Sequence, residues 1–88
     1  MIVKKVINPK YFEYDEPTER LAKEMIKDVL DQFPVPEREI VTKDEDFIQT
    51  NFIQIIYRLN EGKLGEMFLK YVFHMIVEKY VKNEIKKV

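Results

Sequence analysis

Residues 63–88 read KLGEMFLKYVFHMIVEKYVKNEIKKV, and this stretch decides the fold. Polar side chains recur at almost every fourth position, at Lys63, Glu66, Lys70, His74, Glu78, Lys82 and Lys86. A four-residue repeat stays near one side of a helix, so it leaves most of the remaining circumference apolar. The pattern therefore predicts a long helix over 64–86 that must be covered on two sides.

An 88-residue chain has few elements with which to cover such a helix. A chain of this length buries only about 60–65% of the surface that its unfolded form exposes. We therefore expect the missing cover to come from a homodimer or from an obligate protein partner. The side chains predicted for that interface are Met67, Phe68, Leu69, Tyr71, Val72, Phe73, Met75, Ile76, Val77 and Tyr80. The pattern leaves open which of them face the chain's own core and which face the partner.

Composition narrows the class of protein. The chain has no Cys, no Ser and no Trp, and it is rich in Lys, Glu, Ile and Val. Lys and Glu enrichment with few thermolabile residues is typical of hyperthermophile proteins, so we expect a thermophilic source. The segment over residues 1–7 is too short and too charged for a signal peptide. No apolar run is long enough to span a bilayer. We expect a cytoplasmic protein without membrane association.

The N-terminal third predicts one strand and one helix. Residues 2–7 are mostly β-branched and predict a short strand, which Asn8-Pro9 ends. Helix 16–33 follows, because Asp15-Glu16-Pro17 supplies a cap and a proline suited to the first turn. Its apolar side chains fall on one face, as expected of a surface helix, and Pro34-Val35-Pro36 is predicted to end it.

The middle of the chain predicts a possible short strand over 38–42 and then a helix over 44–60. The strand over 2–7 is expected to pair either with this segment or with its own copy in a dimer. Thr42 and Glu45 have the spacing of a capping box at the start of this helix. Its polar face carries almost no charge and consists of Gln49, Thr50, Asn51, Gln54 and Arg58. This face is either a second contact surface or an ordinary neutral exposed face. Gly62 supplies the stop before the third helix.

Catalytic and metal-binding patterns are weak. Acyl transfer needs a Ser or Cys beside a base, and the sequence has neither. His74 shares its polar stripe with Lys70 and Glu78, and one His with one carboxylate makes a poor metal site, so we interpret it as a surface or interface-rim histidine. The sequence predicts no enzyme, no catalytic or metal site and no cofactor.

Nucleic-acid binding is the alternative function. The residues that could contact phosphates or bases are Lys4, Lys5, Lys10, Tyr11, Lys82, Lys86 and Lys87. Aromatic rings beside cations are typical of single-strand binders, but we prefer the interpretation in which Tyr11 and its neighbours close the core over the first helix. The whole-chain charge of −1 argues against a surface-wide nucleic-acid binder.

The sequence thus predicts a mainly α fold in a single small domain: a short N-terminal strand and three helices, the last long and apolar on most faces. We expect a dimer and a non-enzymatic interaction protein (an adaptor, assembly subunit or regulator) that acts through a hydrophobic helical interface.

Overall fold

The fold is mainly helical, which confirms the predicted class. A computed structural model of the chain describes residues 16–86, and these form four helices and no strand. Helix α1 spans Glu16–Leu30, α2 spans Val35–Thr42, α3 spans Glu45–Glu61 and α4 spans Glu66–Lys86. The strand predicted over 2–7 lies outside the described residues.

Two layers of helices enclose the core. Helices α3 and α4 contact each other, and both α1 and α2 pack on this pair. The shortest dimension between Cα atoms is 17 Å, which fits two helix layers packed about 8–10 Å apart. The buried apolar side chains form one cluster that draws on every helix: Ala22, Met25, Ile26, Val29, Leu30, Phe33, Val41, Phe52, Ile55, Ile56, Leu69, Phe73, Val77 and Val81.

Helix α2 corrects the sequence prediction for residues 34–42. The strand predicted over 38–42 is wrong. These residues belong to α2, a helix in addition to the three that the sequence predicted. Pro34 is the N-cap and Pro36 lies in the first turn, where a missing backbone N–H removes no intrahelical hydrogen bond. The β-branched residues at 40–42 suggested a strand, but Val41 is fully buried in the helical core, and this packing overrides local propensity.

Arg38 joins α2 to the end of α1. Its guanidinium donates hydrogen bonds to the backbone carbonyl oxygens of Leu30, at 3.1 Å, and Phe33, at 3.0 Å. These carbonyls lie at the end of α1 and after it, where a helix leaves acceptors without intrahelical partners. The helix predicted over 16–33 accordingly ends at Leu30, and the following turn carries Phe33 into the core.

The N-terminus of α3 is capped by Asp44, not by Thr42. The Asp44 carboxylate accepts a hydrogen bond from the Phe47 backbone N–H at 3.0 Å. Thr42 instead belongs to the last turn of α2, where its hydroxyl donates to the Glu39 carbonyl oxygen at 3.4 Å. Helix α3, predicted over 44–60, ends at Glu61, and Gly62 follows with a left-handed φ of 71°, which favours glycine.

Candidate interaction surface on helix α4

Helix α4 buries one row of side chains in the core. Leu69, Phe73, Val77 and Val81 follow one another at four-residue intervals, and all are buried, Phe73 with 2% and Val77 with 0% of its surface exposed. A row at this interval winds slowly around the helix axis, so it follows the α1–α2 layer along the whole of α4. The core of this chain therefore accounts for only part of the apolar surface of α4.

A second apolar surface of α4 is exposed. It consists of large side chains along the first half of the helix and in the loop before it: Leu64, Met67, Phe68, Tyr71, Met75 and Ile76. We call these six residues the α4 patch. Met67 is 80% exposed, Tyr71 61% and Phe68 51%. After Ile76 the exposed residues of α4 are mostly charged or amide-bearing, apart from Ile85, so the patch has a defined end.

A groove lies beside the α4 patch, between α3 and α4. Its volume is about 320 Å³. Phe68, Val72 and Ile76 line it from α4, together with three buried apolar residues, Ile55, Leu69 and Phe73. The lining comes only from α3, α4 and the loop that joins them, because α1 and α2 lie elsewhere on the pair. The groove and the patch form one continuous, largely apolar surface.

The polar wall of the groove comes from the neutral face of α3. Asn51, Gln54 and Arg58 line it. Asn51 is buried and donates from its side-chain nitrogen to the Phe47 carbonyl oxygen at 2.9 Å, one turn earlier in the same helix. Gln54 and Arg58 are exposed, as are Gln49 and Thr50. The uncharged face noted in the sequence is therefore divided, with three of its five members along the groove.

The ten predicted interface residues separate into three groups. Met67, Phe68, Tyr71, Met75 and Ile76 are exposed; Leu69, Phe73 and Val77 are core residues of the chain itself; Val72 and Tyr80 are half-buried. The three core residues lie on the side of α4 where α1 and α2 pack, which answers for them the question that the sequence left open. Leu64 and the α3 residues of the groove were missed, since only the tertiary packing brings them beside the patch.

Tyr80 belongs to a separate contact at the other end of α4. Its hydroxyl donates to the Asp44 carboxylate at 2.6 Å, and its ring stacks on Phe47 with 4.1 Å between centroids. The hydrogen bond to Asp44 and partial burial raise the pKa of Tyr80 to about 12. Asp44 and its neighbours Glu45 and Asp46 also line an open depression here with Glu84. No group of three or more possible metal ligands occurs within residues 16–86.

His74 lies at the edge of the core. It is half-buried, and its ring centroid is 4.7 Å from that of Phe33 at an interplanar angle of 31°. One turn earlier, the Lys70 ammonium is 3.5 Å from the Asp28 carboxylate of α1. The polar residues that recur along α4 therefore differ in exposure. Lys70 and His74 are half-buried at the edge of the core, whereas Glu78 and Lys82 are exposed.

The predicted nucleic-acid contacts are mostly outside the described residues. This applies to Lys4, Lys5, Lys10, Tyr11 and Lys87. Lys82 and Lys86 are exposed at the C-terminal end of α4, beyond the α4 patch. The described part of the chain therefore places two of the seven residues, and both lie away from the largest apolar surface.

No family pattern matches the chain, and no curated protein or solved structure matches it either. Among residues 16–86, no helix is both long enough and apolar enough to cross a membrane.

Proposed function

We propose that this chain is a small non-enzymatic interaction protein, an adaptor, assembly subunit or regulator, whose α4 patch binds another protein chain. One observation carries the proposal: five large apolar side chains lie exposed along α4, with Leu64 in the loop before it, although this helix already contributes a buried row to the core of the described residues. Exposed apolar side chains are ordinary when single, but a continuous set of them marks a contact surface.

The size of the α4 patch supports this role. A fully buried aromatic side chain hides roughly 150–250 Å², so six large side chains at about half exposure present on the order of 600 Å². The largest apolar patch on a typical monomer is about 300–600 Å². The patch is therefore at the upper end of what soluble monomers leave open, on a chain of only 88 residues.

The residue types also support protein binding. Two of the six residues are Met and two are aromatic. Met and aromatic side chains are enriched where protein chains meet, and Met adapts its shape to the surface opposite. The exposed amide of Gln54 and the guanidinium of Arg58 add a polar edge along the groove, as the rims of protein interfaces usually have.

Site-specific photo-cross-linking tests the proposal. A photoreactive phenylalanine at position 71 of the full chain, expressed in its own host, is expected to give a discrete adduct that Met75→Glu abolishes. The same label at Lys23, which is exposed on α1, is the control and should give none. Equal labelling from the two positions would overturn the proposal, and the mass of a specific adduct distinguishes a second copy from another protein.

A further inference from the structure

We propose that the partner of the α4 patch is a second copy of this chain, with the two α4 helices antiparallel across a two-fold axis near Tyr71. This inference rests on the proposed function, because it uses the same surface, and it adds the identity and the orientation of the partner. Two properties of the patch support it: a symmetric arrangement of its residues and the area that it offers.

The first property is a symmetric row of side chains. Met67, Tyr71 and Met75 are exposed and follow one another at four-residue intervals. In a two-fold interface, residue i of one copy contacts residue j of the other, and j contacts i. An antiparallel pairing about Tyr71 therefore sets Met67 of each copy against Met75 of the other, with the two Tyr71 rings at the axis. A row that reads Met, Tyr, Met in both directions suits this arrangement.

A second row of apolar side chains lies beside the first. Leu64, Phe68, Val72 and Ile76 lie parallel to the first row, again at four-residue intervals, and are exposed or half-buried. Rows at this interval form ridges on a helix, and the ridges of one helix pack into the grooves of another. With the two Tyr71 rings at the axis, the second row lies beside the row of the opposite copy and adds apolar contact area on that side. The patch thus offers two adjoining apolar rows for self-association.

The available area sets the strength of the dimer. Two patches of about 600 Å² facing each other bury about 1,200 Å², the lower limit for specific complexes and well below the range of about 2,000–5,000 Å² for obligate ones. The folded chain also has its own core. We therefore expect a reversible dimer that dissociates on dilution, not an obligate one.

Cysteine cross-linking tests the orientation of the two α4 helices. The natural chain has no Cys that could form other disulfides. Full-length Met67→Cys and Met75→Cys, one of them with a mass tag, are mixed and mildly oxidised. Disulfides need Cα atoms within about 7 Å. The antiparallel pairing predicts mainly the mixed 67–75 dimer and a strong homodimer for Tyr71→Cys. Lys23→Cys is the control on α1. Dominant 67–67 and 75–75 products would overturn the antiparallel orientation.

Sedimentation equilibrium tests the identity of the partner. The natural chain should shift from monomer to dimer mass between roughly micromolar and millimolar concentration, and Tyr71→Glu should remain monomeric with an unchanged helical circular-dichroism spectrum. Gln32→Glu is the matched control, because it adds the same charge at an exposed position outside the α4 patch. A natural chain that stays monomeric would overturn the second copy as partner. A specific photo-adduct with another protein would then still support the proposed function.

Residues 1–15 are the alternative occupant of the patch. The rate at which an introduced cysteine is alkylated distinguishes them from a second copy of the chain. If Tyr71→Cys reacts as fast as Lys23→Cys in dilute monomer and slows only as the dimer forms, the second copy is supported. Slow alkylation in the monomer that is relieved by deleting residues 1–15 would overturn the dimer and assign the patch to the chain's own N-terminal segment.

Discussion

The Tyr80 hydroxyl donates a 2.6 Å hydrogen bond to Asp44, the residue that caps α3, across 36 positions of sequence. The second oxygen of the same carboxylate accepts from the Phe47 backbone N–H, and the Tyr80 ring stacks on Phe47. One acidic side chain thus both begins α3 and joins it to the last third of α4.

Tyr80→Phe should lower the free energy of unfolding by about 1–2 kcal/mol. It removes a hydrogen bond to a charged acceptor at a half-buried site, while the aromatic stacking remains. Urea denaturation followed by circular dichroism measures the change. Tyr71→Phe is the matched control, because Tyr71 is exposed, and it should lie within about 0.5 kcal/mol of the natural chain. Equal effects from the two substitutions would contradict the assigned hydrogen bond.

The same contact predicts a dependence on alkaline pH. The pKa of Tyr80 is raised from 10.0 to about 12 in the folded chain, so the folded state holds this proton more tightly than the unfolded state does. The resulting stability is fully present below about pH 10 and is lost as the pH rises towards 12. The difference in urea midpoint between the natural chain and Tyr80→Phe should therefore shrink over that interval. A difference that is constant from pH 8 to 12 would contradict the raised pKa.

Asp44→Ala should destabilise the chain more than Asp44→Asn. Alanine removes the helix cap, at a cost of about 1 kcal/mol, and also the acceptor of the Tyr80 hydroxyl, whereas asparagine retains a capping oxygen. A double-mutant cycle of Asp44→Ala with Tyr80→Phe isolates their interaction. We expect a coupling of about 1 kcal/mol; strictly additive losses would show that the hydroxyl and the carboxylate do not interact.

Much of the helical pattern could be predicted from the sequence, because α1, α3 and α4 each have a capping signal or an apolar spacing that local rules recognise. Helix α2 could not, since Pro36 and the β-branched residues 40–42 indicate the end of a helix and a strand, and only the burial of Val41 outweighs that local preference. The cap of α3 was ambiguous for a related reason. Thr42 and Asp44 are both good capping residues, and the extent of α2 decides between them.

The sequence predicts an interaction surface on α4 but does not predict which residues of α4 form it. The sequence of α4 indicates an excess of apolar surface, and both the row that contains Phe73 and the row that contains Tyr71 hold large apolar side chains. Which row is core depends on where α1 and α2 pack, and this is tertiary information. The groove wall at Asn51 and Gln54 depends on the placement of α3 beside α4 in the same way.

Arg38→Lys should destabilise the chain by about 1–2 kcal/mol although the charge is conserved. The planar guanidinium donates to two carbonyl oxygens at once, and a lysine ammonium does not reproduce that forked geometry. Arg20→Lys is the control, because Arg20 is exposed and pairs with Glu16 on the same helix; it should change stability by less than about 0.5 kcal/mol. Thermal unfolding of the two variants measures the contrast, and equal melting temperatures would contradict this role of Arg38.

Phe73→Ala and Tyr71→Ala should differ sharply in their effect on the free energy of unfolding, although the two residues are only two positions apart. Phe73 is 2% exposed in the core, so its truncation should cost about 3–5 kcal/mol. Tyr71 is 61% exposed, so its truncation should leave the monomer fold almost unchanged and act on association alone. Urea denaturation at a concentration where the chain is monomeric separates the two effects. Comparable destabilisation by both variants would contradict the division of α4 into a core row and a patch.

Nucleic acid should not be retained at physiological salt, because the whole chain carries a net charge of −1. Filter binding with random duplex and single-stranded oligonucleotides across a salt series measures this. If binding does occur through the N-terminal lysines, replacing Lys4, Lys5 and Lys10 by Gln should flatten the slope of log affinity against log salt by about 2–3 units. Tight binding at physiological salt that weakens in this triple variant would replace the protein-interaction proposal with a nucleic-acid function. Binding that ignores those three residues would direct attention to the exposed Lys82 and Lys86 at the end of α4.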